Sequence, residues 1–207
     1  SDLKTLGLLF SKASTRTRVS FSAAIFQLGG QVLDLNPSVT QVGRGEPIAD
    51  TARVLSRYLD ILAIRTFAQS DLETYAQYAD IPVINALTDL YHPCQILADL
   101  LTMREQFGDL KGLTLVYLGD GNNVAHSLML GCALAGVNVR VATPEGYRPL
   151  PEVVERAQQI AAQQNSVVEV TGDQRAAVAG ANALYTDVRS EEHTSELQSP
   201  YVIFVCR

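Results

Sequence analysis

Leu6-Gly7-Leu8-Leu9-Phe10 runs straight into Ser11-Lys12-Ala13-Ser14-Thr15-Arg16-Thr17-Arg18. The first five residues have the length and apolar content of a buried strand, and the hydroxyl-rich turn after them opens a stretch of helical length, 16–28. A buried strand that feeds a helix is the first half of a β-α-β unit, and the pattern repeats outward from it. Strand candidates at 31–35, 61–65 and 83–85 alternate with helices near 48–58 and 71–78, as expected of a parallel sheet covered by helices. A longer helix is predicted over 93–107. Proline stands in its first turn, where the missing N–H costs nothing, and Gly108 stops it. A second series then begins, with strands at 113–118, 137–142, 167–170 and 184–186 and a helix at 123–135. The expected fold is α/β: two doubly wound parallel-sheet domains joined by a long helix, the second incomplete. The expected division is 1–108, 109–188 and a tail, 189–207.

Composition narrows the function. The chain has 207 residues, 47% of them hydrophobic and 18% charged, against about 25% charged in typical globular chains, so a packed core is expected and wholesale disorder is not. No apolar run reaches the roughly 20 residues of a membrane helix, and 1–10 lacks the pattern of a signal peptide, so neither a membrane nor a secreted protein is expected. A formal charge of −6 argues against non-specific nucleic-acid binding, and an anion site would have to be local. Cys94, Cys132 and Cys206 are odd in number and widely spaced, which suggests neither a disulfide framework nor a zinc site and fits a reducing, cytoplasmic compartment.

Three segments carry chemistry. In Ser14-Thr15-Arg16-Thr17-Arg18, hydroxyls, guanidinium groups and the unpaired N–H groups of a helix start converge, a combination suited to phosphate. The same spacing serves plain capping, with Ser14 or Thr15 as N-cap and both arginines solvated. The segment lacks the glycine spacing and Lys-Ser/Thr of a P-loop. His92-Pro93-Cys94-Gln95 follows a strand and opens a helix, and Arg65 ends the strand 61–65. Ligands of open α/β sheets bind beyond the carboxyl ends of strands, which favours both residues, although a lone histidine at a helix start is more often a capping or packing residue and Arg65 reads equally well as a surface arginine. Gly119-Asp120-Gly121-Asn122-Asn123 opens the second series but fails the G-x-G-x-x-G pattern, with Val124 at the final position and no acidic residue ending the next strand, so no dinucleotide site is expected. Asn123 offers an amide that donates and accepts, either to a zwitterionic substrate or to a helix start.

Together these segments resemble the aspartate/ornithine carbamoyltransferase family over nearly all of 3–188, and its ornithine branch in particular. Ser14-Thr15-Arg16-Thr17-Arg18 is similar to the family's carbamoyl-phosphate loop, and Arg65 with His92-Pro93-Cys94-Gln95 to its carbamoyl-binding groups. Gln41, within Thr40-Gln41-Val42-Gly43-Arg44-Gly45-Glu46, is similar to the ornithine branch's loop that reaches a neighbouring subunit. Leu90 to Thr102 and Gly119 to Asn123 also look like that branch. The resemblance implies carbamoyl transfer from carbamoyl phosphate to the δ-amine of L-ornithine, giving citrulline, in arginine biosynthesis by a homotrimer without metal or organic cofactor. It implies Ser14, Thr15, Arg16, Thr17, Gln41, Arg65, His92 and Gln95 as carbamoyl-phosphate ligands, with Thr17, Arg65 and His92 catalytic, and Asn123 as an ornithine contact. The rival expectations are carbamoyl transfer to aspartate or an acylated ornithine, and a carbamoyl-phosphate-binding module without turnover.

The resemblance is expected to be truncated at both ends. The family starts with a further helix before residue 3. After Tyr185-Thr186-Asp187-Val188 it continues with a Trp, a Ser-Met-Gly loop and a His-Cys-Leu-Pro segment, and this chain has no Trp. Residues 189–199 resemble the in-frame translation of a sequencing adapter, the alternative being an acidic surface helix followed by an edge strand.

Overall fold

The computed structural model describes residues 3–37, 41, 45–187 and the backbone of 202–205. The chain divides into two compact units, Ser1–Tyr91 and His92–Arg207. The first contains β1 (Thr5–Phe10), α1 (Thr15–Gln27), β2 (Gln31–Asp34), α2 (Ile48–Leu55), β3 (Ile61–Arg65), α3 (Gln69–Tyr78) and β4 (Val83–Leu87). Its four strands lie in the order β2-β1-β3-β4, all parallel. Every residue of β1 is buried, because the two-residue alternation of a strand sends side chains to both faces and both are covered. Leu6, Leu8 and Phe10 pack with Ile25 of α1 on one face. Leu9, Leu62 and Ile64 pack with Ala52 of α2 and with Leu72 and Tyr75 of α3 on the other. This is the doubly wound arrangement expected from the sequence.

The second unit contains α4 (Pro93–Phe107), β5 (Thr114–Leu118), α5 (Asn123–Ala135), β6 (Asn138–Ala142), α6 (Pro151–Gln163), β7 (Val168–Thr171), α7 (Gln174–Val178), β8 (Ala183–Thr186) and β9 (Val202–Val205). Its sheet runs β7-β6-β5-β8-β9, parallel as far as β8, with β9 added antiparallel. Val116, Leu118 and Leu184 meet Ala177 and Val178 of α7 on one face. α5 is buried along most of its length, from Val124 to Ala133.

Four differences from the sequence reading have physical causes. α4 belongs to the second compact unit, so the units part at 91/92, one helix before the expected boundary. The His92 N–H donates to Ser127 Oγ of α5 at 2.8 Å, and Ile96 lies so close to Gly131 that a Cβ there would stand 2.6 Å from Ile96 Cγ2. α6 was not expected, because its core contacts are made by Val153 and two alanines, Ala157 and Ala161, a weak apolar signal. α7 has only five residues. α2 stops at Leu55 because Arg57 and Tyr58 bond back to Val54 and Leu55 in tightened turns. The reading of 189–207 as non-native lies outside the described residues, except for the backbone of β9. Among the described residues, no helix is long and apolar enough to cross a membrane.

Candidate functional site

In the first unit, β1 and β3 end side by side, and the Ser11 N–H donates to the Arg65 carbonyl at 2.8 Å. The chain then turns into α1 at Ser14, whose extended backbone (φ −160°, ψ 112°) places it at the N-cap. Its hydroxyl caps nothing, and no acidic residue stands in the first turn. The capping role weighed from the sequence is therefore unfilled, and the start of α1 keeps its exposed donors and positive dipole end. Lys12 on one side is ion-paired with Asp89 and lies 4.3 Å over the Phe67 ring. Arg18 on the other is ion-paired with Asp34 and lies 5.0 Å over the Phe10 ring. Both flanking cations are thus engaged. Arg16 between them is exposed and makes no hydrogen bond or ion pair among the described residues.

Arg65 is half-buried at the end of β3, where the pairing with β4 slips by one residue between Ile64 and Arg65. Such bulges re-aim a side chain. Gln41 is exposed, and its carbonyl accepts from the Glu46 N–H at 3.3 Å. Among the described residues, no hydrogen bond or ion pair joins it to 14–18.

The second unit opens with His92, buried at the N-cap of α4, followed by Pro93 at the first helical position. Gln95 donates from Nε2 to Asp99 Oδ1 at 2.9 Å. Asp99 is buried, and burial pushes its carboxyl up to about 7, with the Gln95 hydrogen bond pulling the other way. Burial also pushes the Cys94 thiol up, so this cysteine lacks the lowered pKa of a reactive thiolate.

At the end of β5, Asn122 rather than Asn123 caps α5. Its Oδ1 accepts from Val124 N at 3.0 Å and Ala125 N at 3.2 Å, and its Nδ2 donates to Asp187 Oδ2 at 3.0 Å. Tyr117 OH donates to the Asp120 carbonyl at 2.9 Å. The capping alternative considered for Asn123 is thus taken by its neighbour, and Asn123 is the first helical residue, half-buried beside this network. The loop after β6 closes over it. The Gly121 N–H donates to the Tyr147 carbonyl at 2.7 Å, and the Leu150 N–H donates to His126 Nε2 at 3.1 Å, which makes His126 a neutral acceptor at that nitrogen.

A Cβ on Gly121 would stand 2.1 Å from Pro149 N and 2.5 Å from the Arg148 carbonyl carbon. These are backbone atoms that cannot swing aside. Gly121→Ala is therefore expected to cost about 1–3 kcal/mol of stability in urea unfolding, whereas Gly172→Ala, which meets nothing within 4 Å, should stay within about 0.5 kcal/mol. Equal midpoints for the two variants would refute this.

Lys12, Asp89, Asp99, Asn122 and Asp187 also take part in these networks and are not singled out by the sequence. Asp99 had a signal: it stands four residues after Gln95 on a helix, the spacing at which side chains meet. The pairings of Lys12 with Asp89 and Asn122 with Asp187 span 77 and 65 positions and had no local signal.

Comparison with known proteins matches 1–105 to the aspartate/ornithine carbamoyltransferase carbamoyl-P binding domain and 111–202 to the Asp/Orn binding domain. An ornithine carbamoyltransferase from Synechococcus elongatus is 74% identical over 185 residues, covering 89% of this chain and 60% of the relative. The crystal structure of the ornithine carbamoyltransferase from Gloeobacter violaceus is 61% identical with a TM-score of 0.83, over 90% of this chain and 62% of that one. The Pyrococcus furiosus enzyme is 52% identical with a TM-score of 0.88, over 91% and 60%. The chain spans about 60% of the length of the curated relatives it matches.

Proposed function

Because this chain belongs to the aspartate/ornithine carbamoyltransferase family, we propose that the protein transfers the carbamoyl group of carbamoyl phosphate to the δ-amine of L-ornithine, giving L-citrulline and phosphate for arginine biosynthesis. The segment 1–108, which takes in α4 beyond the first compact unit, serves carbamoyl phosphate, and 109–188 serves ornithine. The observation that carries this reading is the start of α1, where the Ser14 hydroxyl leaves the helix uncapped and Arg16 is exposed without a partner among the described residues. A phosphate dianion satisfies both needs. Helix N–H groups and the hydroxyls of Ser14, Thr15 and Thr17 donate to its oxygens, and Arg16 adds a forked, charge-assisted pair.

Thr17, Arg65 and His92 direct donors at the carbonyl oxygen, where negative charge develops as the amine attacks. Removing one donor from such an arrangement typically costs about a hundred- to a thousandfold in rate. Gln95 accepts from the carbamoyl NH2 and holds the plane of the reacting group. The neutral δ-amine attacks the carbonyl carbon, a C–N bond forms, and the C–O bond to phosphate breaks. The departing phosphate takes the amine proton, so neither a side-chain base nor a metal or organic cofactor is required. Asn123 binds the amino-acid end of ornithine. Gln41 completes the carbamoyl-phosphate site of a neighbouring subunit in a cytoplasmic homotrimer.

The 207-residue chain is expected to bind carbamoyl phosphate weakly and to form no citrulline, because it spans only 60% of its relatives' length. A protein extended to that length should form citrulline and scatter light as a trimer. Citrulline above background from the short chain, or an extended protein that is monomeric while active or that carbamoylates aspartate instead, would overturn the corresponding part of the proposal.

A further inference from the structure

α4 carries a buried carboxylate one turn beyond Gln95, and carbamoyl transfer as proposed assigns it no role. Asp99 accepts from Gln95 Nε2 at 2.9 Å through Oδ1, while Oδ2 is buried and has no hydrogen-bond partner among the described residues. The oxygen of Gln95 also has no hydrogen bond among them. A glutamine amide has two chemically different ends and turns between them at little cost, so an unrestrained Gln95 presents either end to a ligand. A carboxylate only accepts. It therefore holds the NH2 end and turns the carbonyl end outward.

We infer that Asp99 is a positioning residue that fixes the rotation of the Gln95 amide, so that Oε1 rather than Nε2 faces the ligand and Gln95 acts as an acceptor for an NH2 group. The inference rests on the proposed role of Gln95 toward the carbamoyl NH2 and deepens it. The site distinguishes an amide-bearing phosphate from an acyl phosphate that has a methyl group in place of NH2. The latter, acetyl phosphate, would leave Gln95 Oε1 facing carbon, and a site whose polar group is left unpaired rejects its ligand. Asp99 thus contributes to ligand selection without touching the ligand. A proton on Oδ2 leaves the bond at Oδ1 intact.

The test is titration calorimetry of the 207-residue chain with carbamoyl phosphate and with acetyl phosphate, on Gln95→Ala, Asp99→Leu, Asp99→Asn and the double variant Gln95→Ala/Asp99→Leu. Loss of one oriented hydrogen bond corresponds to about three- to tenfold in affinity. Asp99→Leu is expected to lose that much for carbamoyl phosphate and nothing for acetyl phosphate. Asp99→Asn, whose amide both donates and accepts and so no longer dictates which end of Gln95 turns outward, should also lose affinity for carbamoyl phosphate, by no more than Asp99→Leu, and none for acetyl phosphate. The double variant should bind no more weakly than Gln95→Ala alone, because Asp99 acts only through Gln95. Additive losses in the double variant, or equal losses for both ligands, would make Asp99 merely structural and overturn the inference. If Gln95→Ala binds carbamoyl phosphate normally, the proposed role of Gln95 fails and the inference falls with it. Should Asp99→Leu not fold, the unaltered chain decides. Its Gln95 side-chain amide protons are expected to exchange with water more slowly than those of the exposed Gln163, and equal exchange would overturn the inference.

Discussion

Arg16→Ala is expected to weaken carbamoyl-phosphate binding by about tenfold to over a hundredfold, the equivalent of one charge-assisted hydrogen bond at roughly 1.5–3 kcal/mol. Arg16 stands apart from its neighbours because Lys12 and Arg18 are held by Asp89 and Asp34, so neither is available to replace it without breaking an ion pair. Arg16→Lys restores the charge and not the fork, and should remain clearly impaired. Arg57→Lys serves as the control. Arg57 is exposed just beyond α2, where the chain returns to the amino ends of the strands, opposite the edge at which α1 begins. Calorimetric titration of the three variants checks this. Full affinity in Arg16→Lys would mean that the loop reads charge alone.

The second large effect is one of pH on stability, through Asp99. Its carboxyl is pushed up by burial to about 7 from an ordinary 3.8. Between those values the folded protein holds a proton that the unfolded chain has released, so the contribution of this group to stability falls as pH rises from about 4 to 7 and is flat above. At about 1.4 kcal/mol per tenfold, the full span corresponds to at most about 4 kcal/mol. The Cys132 thiol of the neighbouring helix is itself pushed up by burial and by the Asp99 charge, so it does not titrate in this window. Asp60, held below the usual range by hydrogen bonds from Lys4 and the Thr5 N–H, contributes a slope of opposite sign at lower pH that is common to both proteins compared. Urea unfolding of the unaltered chain and of Asp99→Asn from pH 4.5 to 8 is expected to show the variant gaining relative stability as pH rises. Parallel curves would refute it.

How far the molecule could be read in advance depended on how local each signal is. β1, β3, α4 and α5 were legible because each is a long apolar or capped run bounded by its own breakers, such as Pro93 and Gly108. α6 and α7 were not, since alanines such as Ala157 and Ala161 fill a core position without standing out from a surface. Of the site, the residue types were legible at 14–18 and 92–95, where donors crowd a helix start. Their division of labour was not. That Lys12 and Arg18 are engaged while Arg16 is exposed depends on Asp89 and Asp34, which the chain brings back from a distance. That Asn122 rather than Asn123 caps α5 depends on backbone angles at a single residue.

The uncapped start of α1 has a consequence for how the protein can change over generations. Ser14 stands where an aspartate would hold the helix more firmly, through its side-chain acceptor and its charge beside the dipole. Ser14→Asp would also put a negative charge where the phosphate is proposed to lie. Selection for robustness and selection for substrate therefore pull this one position in opposite directions, the usual conflict where a site keeps its polar groups waiting for a ligand. A lineage, or a laboratory library, sorted for heat resistance alone should drift toward the better helix and the poorer carbamoyl-phosphate binder.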